Sequence, residues 1–96
     1  MTLHTLNRSS FSFDLSGLLR AVSANDVLLL IEDGVYTALD ADAMERFREA
    51  GLSVSVLAPD VSARGVGARM PESVAQVGYD GFVALACETD KTVAWF

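Results

Sequence analysis

Cys87 is the only thiol in the chain and His4 the only imidazole, so nucleophilic and metal chemistry have few residues to draw on. Cys87 is the one side chain that could carry sulfur or act as a redox nucleophile. Its neighbours Glu88 and Asp90 are anionic and disfavour a thiolate, and it falls late in an apolar helical segment, away from the N-terminus that would favour one. The favoured reading is a small apolar side chain buried on the inner side of the last helix. His4 stands alone in an apolar strand. With no second histidine and no other cysteine, a zinc site lacks ligands of the usual kinds. A hydrogen-bonded structural histidine is favoured over a general base completed by partner chains.

Other patterns are weaker. Gly65-Val66-Gly67 is not a dinucleotide fingerprint, because Met70 occupies the third glycine position and a helical turn, not a strand, precedes it. Asp40 and Asp42 could both touch a divalent cation, but helix capping explains Asp42 without one. No serine sits in a nucleophile-elbow context. Neither a metal nor a cofactor is expected. Asp33-Gly34-Val35-Tyr36 is the best surface candidate, since it follows an apolar strand where α/β sheets present their sites. Asp33, Gly34 and Tyr36, with His4, are the candidate binding or interface residues. The competing reading of this block is a turn whose glycine supplies a positive φ, with Tyr36 packed beneath it.

The elements that position these residues follow from periodicity. Val27–Ile31 is an unbroken apolar run suited to the central strand of a parallel sheet covered on both faces. Leu3–Leu6 forms the first strand. Phe11, Leu15, Leu18, Leu19 and Val22 make one helical stripe, with Ser10 or Ser12 as N-cap and Gly17 as an interior cost of up to about 1 kcal/mol. Asp42 to Glu45 reads as a capping box, Met44 and Phe47 face inward, and Gly51 ends that helix. Leu52–Ala58 is a strand, Pro59 to Arg64 a helical turn stopped by Gly65, and Ser73–Val77 a strand. Asp80 caps a helix over Gly81–Glu88 with Phe82, Val83, Leu85 and Ala86 inward, and Thr92–Phe96 is the last strand. The alternation predicts one domain over residues 1–96: an α/β three-layer sandwich around a mostly parallel five-stranded sheet.

Bulk properties exclude several classes. The 96 residues carry a formal charge of −6, which disfavours direct gripping of nucleic acid. No apolar run approaches the roughly 18 residues needed to cross a bilayer, and the start lacks the order of a secretory signal. A cytoplasmic protein with no membrane role is expected. A 51% apolar fraction in so short a chain places some apolar side chains in a subunit interface.

Several blocks, in order along nearly the whole chain, resemble the TusB/DsrH family of sulfur-relay subunits. They are Leu3 to Ser9 followed by Phe11, Glu32 to Tyr36, Val56-Leu57, Asp60, Ala63-Arg64-Gly65, Tyr79 to Val83, and Trp95. The resemblance implies a DsrE-like fold and a small cytoplasmic subunit of a heterohexamer of related chains, TusC/TusD-like or DsrF/DsrE-like. In the Tus branch that complex passes persulfide sulfur toward 2-thiolation of the wobble uridine in certain tRNAs; in the Dsr branch related complexes serve sulfur oxidation. The relay cysteine of the Tus assembly belongs to a sister subunit. Some DsrH-type members carry a cysteine toward the end of the first helix, where this chain has Leu18-Leu19-Arg20-Ala21.

That departure favours a non-catalytic, TusB-like subunit. The alternatives are a DsrH-like sulfur-oxidation subunit with Cys87 as carrier, and a stand-alone flavodoxin-like binding module. In isolation, exposed interface can drive the chain to homo-oligomerise.

Overall fold

Strand β2 (Val27–Leu30) is buried at every residue and lies at the centre of the sheet. The computed structural model describes residues 1–96. Around β2 run β1 (Thr2–Leu6), β3 (Ser53–Leu57), β4 (Ala75–Val77) and β5 (Lys91–Trp95), all parallel, in the order β4-β3-β2-β1-β5. The order dictates how the faces are covered. From β1 to β4 each step moves one place in the same direction, and right-handed crossovers put every intervening helix on one face. The return from β4 to β5 crosses the whole sheet in the opposite sense and lays its helix on the other face.

Side-chain alternation in the strands splits the core accordingly. Leu6, Leu28, Leu30 and Val56 pack with Leu18 of α1 (Ser16–Ala21), Phe47 of α2 (Ala41–Glu49) and Val61 of α3 (Ala58–Ala63) in the main cluster. Leu3, Val27 and Leu29 face the other way, toward Phe82 and Leu85 of α4 (Tyr79–Glu88). The sandwich is therefore asymmetric, with one ten-residue helix over its second face.

Several boundaries differ from the sequence expectation. Helix α1 begins at Ser16 and Phe11 is exposed. Ser10 is not its cap: its N–H donates to Thr37 Oγ1 (3.0 Å) and its hydroxyl to Asp40 Oδ2 (2.8 Å), drawing residues 9–12 into a turn. Asp14 instead accepts the Ser16 N–H at 2.9 Å, and the Ser16 hydroxyl and amide hold its carboxyl below the usual range. The cap of α2 is Asp40, whose Oδ1 accepts from the Ala43 N–H (3.2 Å), not Asp42, which pairs with Arg46 (3.2 Å). Glu45 pairs with Arg48 one turn on and does not reach back to a capping box.

Helix α4 starts at Tyr79, after Gly78 rather than an Asp80 cap. Only Phe82 and Leu85 of its expected inner stripe pack on the sheet; Val83 and Ala86 point outward. Gly51 (φ 80°) and Gly65 (φ 65°) adopt the left-handed conformation expected of helix-ending glycines.

Candidate functional site

At the carboxyl end of β2, the chain enters a 3-10 helix, Glu32–Leu39. Glu32 itself takes the left-handed backbone (φ 50°), steadied by its N–H donating to Asp60 Oδ2 at 2.7 Å. Gly34 is not the positive-φ residue of this turn. It is buried, and a Cβ there would fall on the carbonyl oxygen of Leu6, well inside van der Waals contact. That oxygen also accepts the Ile31 N–H (3.0 Å), so the 3-10 helix is pressed onto the end of β1. Asp33 is exposed and receives both Nε and an Nη of Arg64 at 3.0 Å on a single oxygen. Tyr36 is half-buried against the main core. Of this block, then, Glu32 and Asp33 alone present exposed side chains, and the rest is a clamp between β1, α3 and the loop before α1.

His4 lies at the heart of a second constellation. It is 2% exposed, so it lends no atom to a surface. The Trp95 indole N–H, which can only donate, points at His4 Nδ1 (3.1 Å). The ring proton therefore sits on Nε2, which donates to Asp26 Oδ2 at 3.0 Å. Asp26 also accepts the N–H groups of Thr2 (3.0 Å) and Ser23 (2.9 Å). Burial alone would push the Asp26 carboxyl up, but these donors outweigh it and bring the pKa down to about 2. Sequence reasoning singled out the lone histidine as hydrogen-bonded but missed both partners, because Asp26 reads as turn chemistry and Trp95 lies at the far end of the chain.

Cys87 departs from expectation. It is exposed on the outer side of α4, not buried beneath it. Nothing packs over this side: Tyr79 and Val83 are each 62% exposed, and Ala86 is exposed beside them. At the adjoining edge strand, Thr92 and Ala94 pair with Leu3 and Thr5 and so share the face of the sheet under α4, yet both are exposed, as is Phe96. The outer side of α4 thus bears exposed apolar side chains and the thiol, and the sheet face at β5 is left uncovered. Asp40 spends both carboxylate oxygens on Ser10 and Ala43, and no group of three or more His, Cys, Asp or Glu side chains converges as metal ligands would. No helix is long and apolar enough to cross a membrane.

The family of DsrH-like proteins matches residues 8–92. The chain belongs to that family. Relatives of this DsrH-like chain include the TusB protein of Erwinia tasmaniensis, 42% identical over 97% of this chain and 99% of that one. The TusB protein of Salmonella dublin is 38% identical with the same coverage. Among solved structures, the crystal structure of the YchN protein from E. coli superposes with a TM-score of 0.78 at 15% identity, covering 98% of this chain and 97% of that chain. The solution structure of Tm0979 from Thermotoga maritima gives 0.69 at 23% identity, covering 94% and 95%. These two share its fold. In the DsrH-like chain the separated blocks that carry the family likeness meet in space: Asp33 binds Arg64, the backbone of Glu32 binds Asp60, and His4 binds Trp95.

Proposed function

We propose that this chain, as a single DsrE-like domain over residues 1–96, is a non-catalytic subunit of a TusBCD-like sulfur-relay complex. It acts in the cytoplasm in 2-thiolation of the tRNA wobble uridine and shapes a heterohexamer with related sulfur-relay chains. The observation that carries this reading is the likeness to TusB proteins over 97% of the chain. The exposed Tyr79 and Val83 of α4 and the uncovered sheet face at β5 support it, since a subunit needs apolar area to bury. So does the lack of a cysteine on α1, where Leu18 to Ala21 stand. Native mass spectrometry of the chain co-expressed with TusC- and TusD-like chains tests it directly. A defined heterohexamer is expected; a monomer indifferent to those partners would overturn the reading.

One observation favours a second reading. Cys87 is exposed on that same surface, so a DsrH-like carrier role in sulfur oxidation predicts a persulfide on Cys87 after incubation with a persulfide donor. An unmodified Cys87 in an assembled, sulfur-loaded complex, together with full thiolation by the Cys87→Ser variant, would dispose of this alternative.

A further inference from the structure

Beside β3 the sheet is unfinished. Strand β4 joins the ladder only at Ser55↔Ala75, so Ser53 and Val54 have no strand partner on that side. Ser53 gives its N–H to the Asp26 carbonyl on the β2 side, and strand alternation aims the N–H of Val54 the other way, at the missing stretch of β4. A groove of about 830 Å³, open to solvent on one side, lies along this edge. Met44 and Leu52 give it an apolar lining continuous with the main core, and Arg48, Arg69 and Ser73 stand around it.

The charge of the groove is opposite to that of the chain. Arg48 is neutralised by Glu45 on the same helix. Of the other arginines only Arg46 and Arg64 form ion pairs; Arg69, like Arg8 and Arg20 elsewhere on the surface, forms none, and it is the one of these three that stands at the groove, in a protein of net charge −6. An uncompensated cation, an unfinished strand edge and an apolar floor together define what fits.

We propose that this groove binds an extended segment of a partner protein carrying an acidic side chain close to an apolar one. The segment runs along Ser53 and Val54 in place of the missing start of β4, sets its carboxylate on Arg69, and rests its apolar side chain on Met44 and Leu52. Strand addition suits the site because main-chain hydrogen bonds supply register while side-chain pockets supply selectivity. A compact ligand would stay largely solvated in a groove open on one side, whereas small-molecule sites bury most of their ligand.

The test is an NMR titration of the isotopically labelled full chain with a blocked pentapeptide, valine-glutamate-valine-aspartate-valine, and with its counterpart bearing lysine at both acidic positions. Amide shifts at Ser53, Val54 and the Arg69–Ala75 segment are expected with the acidic peptide only. Arg69 is the exposed last residue of a short 3-10 helix, Gly67–Arg69, and the spectrum of Arg69→Glu reports whether the fold is kept. The variant should weaken the acidic peptide roughly fivefold and admit the lysine peptide. No groove shifts at millimolar acidic peptide, equal shifts with both peptides, or indifference to Arg69→Glu would overturn the proposal. So would matching shifts from free glutarate, which would assign the groove to a small carboxylate. Concentration-dependent broadening of these amides without peptide would assign it to a second copy of the chain and equally overturn the proposal.

Discussion

Asp26 gathers three side-chain hydrogen bonds, among them the buried one to His4. Its side chain holds the starts of β1 and β2 together through Thr2, Ser23 and His4, and its carbonyl receives the Ser53 N–H at the start of β3. In the unfolded chain its carboxyl titrates near the ordinary 3.8; in the folded chain it titrates at about 2. Between those values the unfolded state binds more protons. Stability is therefore fully present above 3.8, falls as pH drops through that window, and the contribution is gone below about 2. The difference is on the order of 2 kcal/mol. Asp26→Asn is expected to lose that stability at neutral pH and to flatten the acid limb of the denaturation curve, as read by urea melts across pH. Trp95→Phe keeps an aromatic side chain but removes the indole N–H and strands His4 Nδ1 without its donor, at a cost of about 1–2 kcal/mol in the same melts.

At the scale of elements, the 3-10 helix after β2 shows how one missing atom fixes a path. Gly34 is where the chain passes over the Leu6 carbonyl, and Gly34→Ala is expected to cost at least about 2 kcal/mol, since backbone, not a movable side chain, meets the new methyl. Gly17 is the opposite case. Its nearest neighbour is the Trp95 ring at 3.9 Å, an ordinary contact, so Gly17→Ala should fit and raise stability by roughly 0.5–1 kcal/mol in thermal melts. The same contrast explains what the sequence made legible. Val27–Ile31 announced the central strand because it is an unbroken apolar run of strand length, bounded by turn residues at Asn25-Asp26 and Glu32-Asp33-Gly34. The stripe from Phe11 to Val22 overran, because Ser10 is drawn away by Thr37 and Asp40, some thirty residues distant, and periodicity carries no trace of that. The sequence pattern points to Asp42 as the cap of α2, but Asp40 takes that place, its second carboxylate oxygen held by the Ser10 hydroxyl. Helix α4 is apolar on both sides, so spacing alone could not say whether Val83, Ala86 and Cys87 face the sheet or the solvent. The candidate site suffered the same way: Asp33 and His4 were visible as residue types, but Arg64 and Trp95, which occupy them, are joined only by the fold.

For the whole molecule, the asymmetry of the sandwich is the property with the widest consequence. Four of the five strands are linked by helices on one face, and the long return from β4 to β5 leaves the other with α4 alone. Strand β5 is also an edge, with Thr92 and Ala94 bare on the under-covered face and Phe96 exposed just beyond its end. An isolated protein would carry this as a solubility burden, whereas a subunit would bury it. The two cases separate cleanly under one substitution. Val83 is 62% exposed on the outer side of α4, so Val83→Asp should leave the unfolding free energy within about 0.5 kcal/mol of the parent. If the face is a subunit contact, the buried carboxylate should nevertheless dissolve the assembly, because an unpaired charge in an interface core loses several kcal/mol of desolvation. Size-exclusion chromatography and native mass spectrometry of the co-expressed chains read the outcome: an unfolded variant would place Val83 in the core, and an intact heterohexamer would move the interface off α4. Cys87→Ser on the same face changes a single atom and should leave both assembly and tRNA thiolation at parent levels, as a subunit that shapes the relay without carrying the sulfur requires.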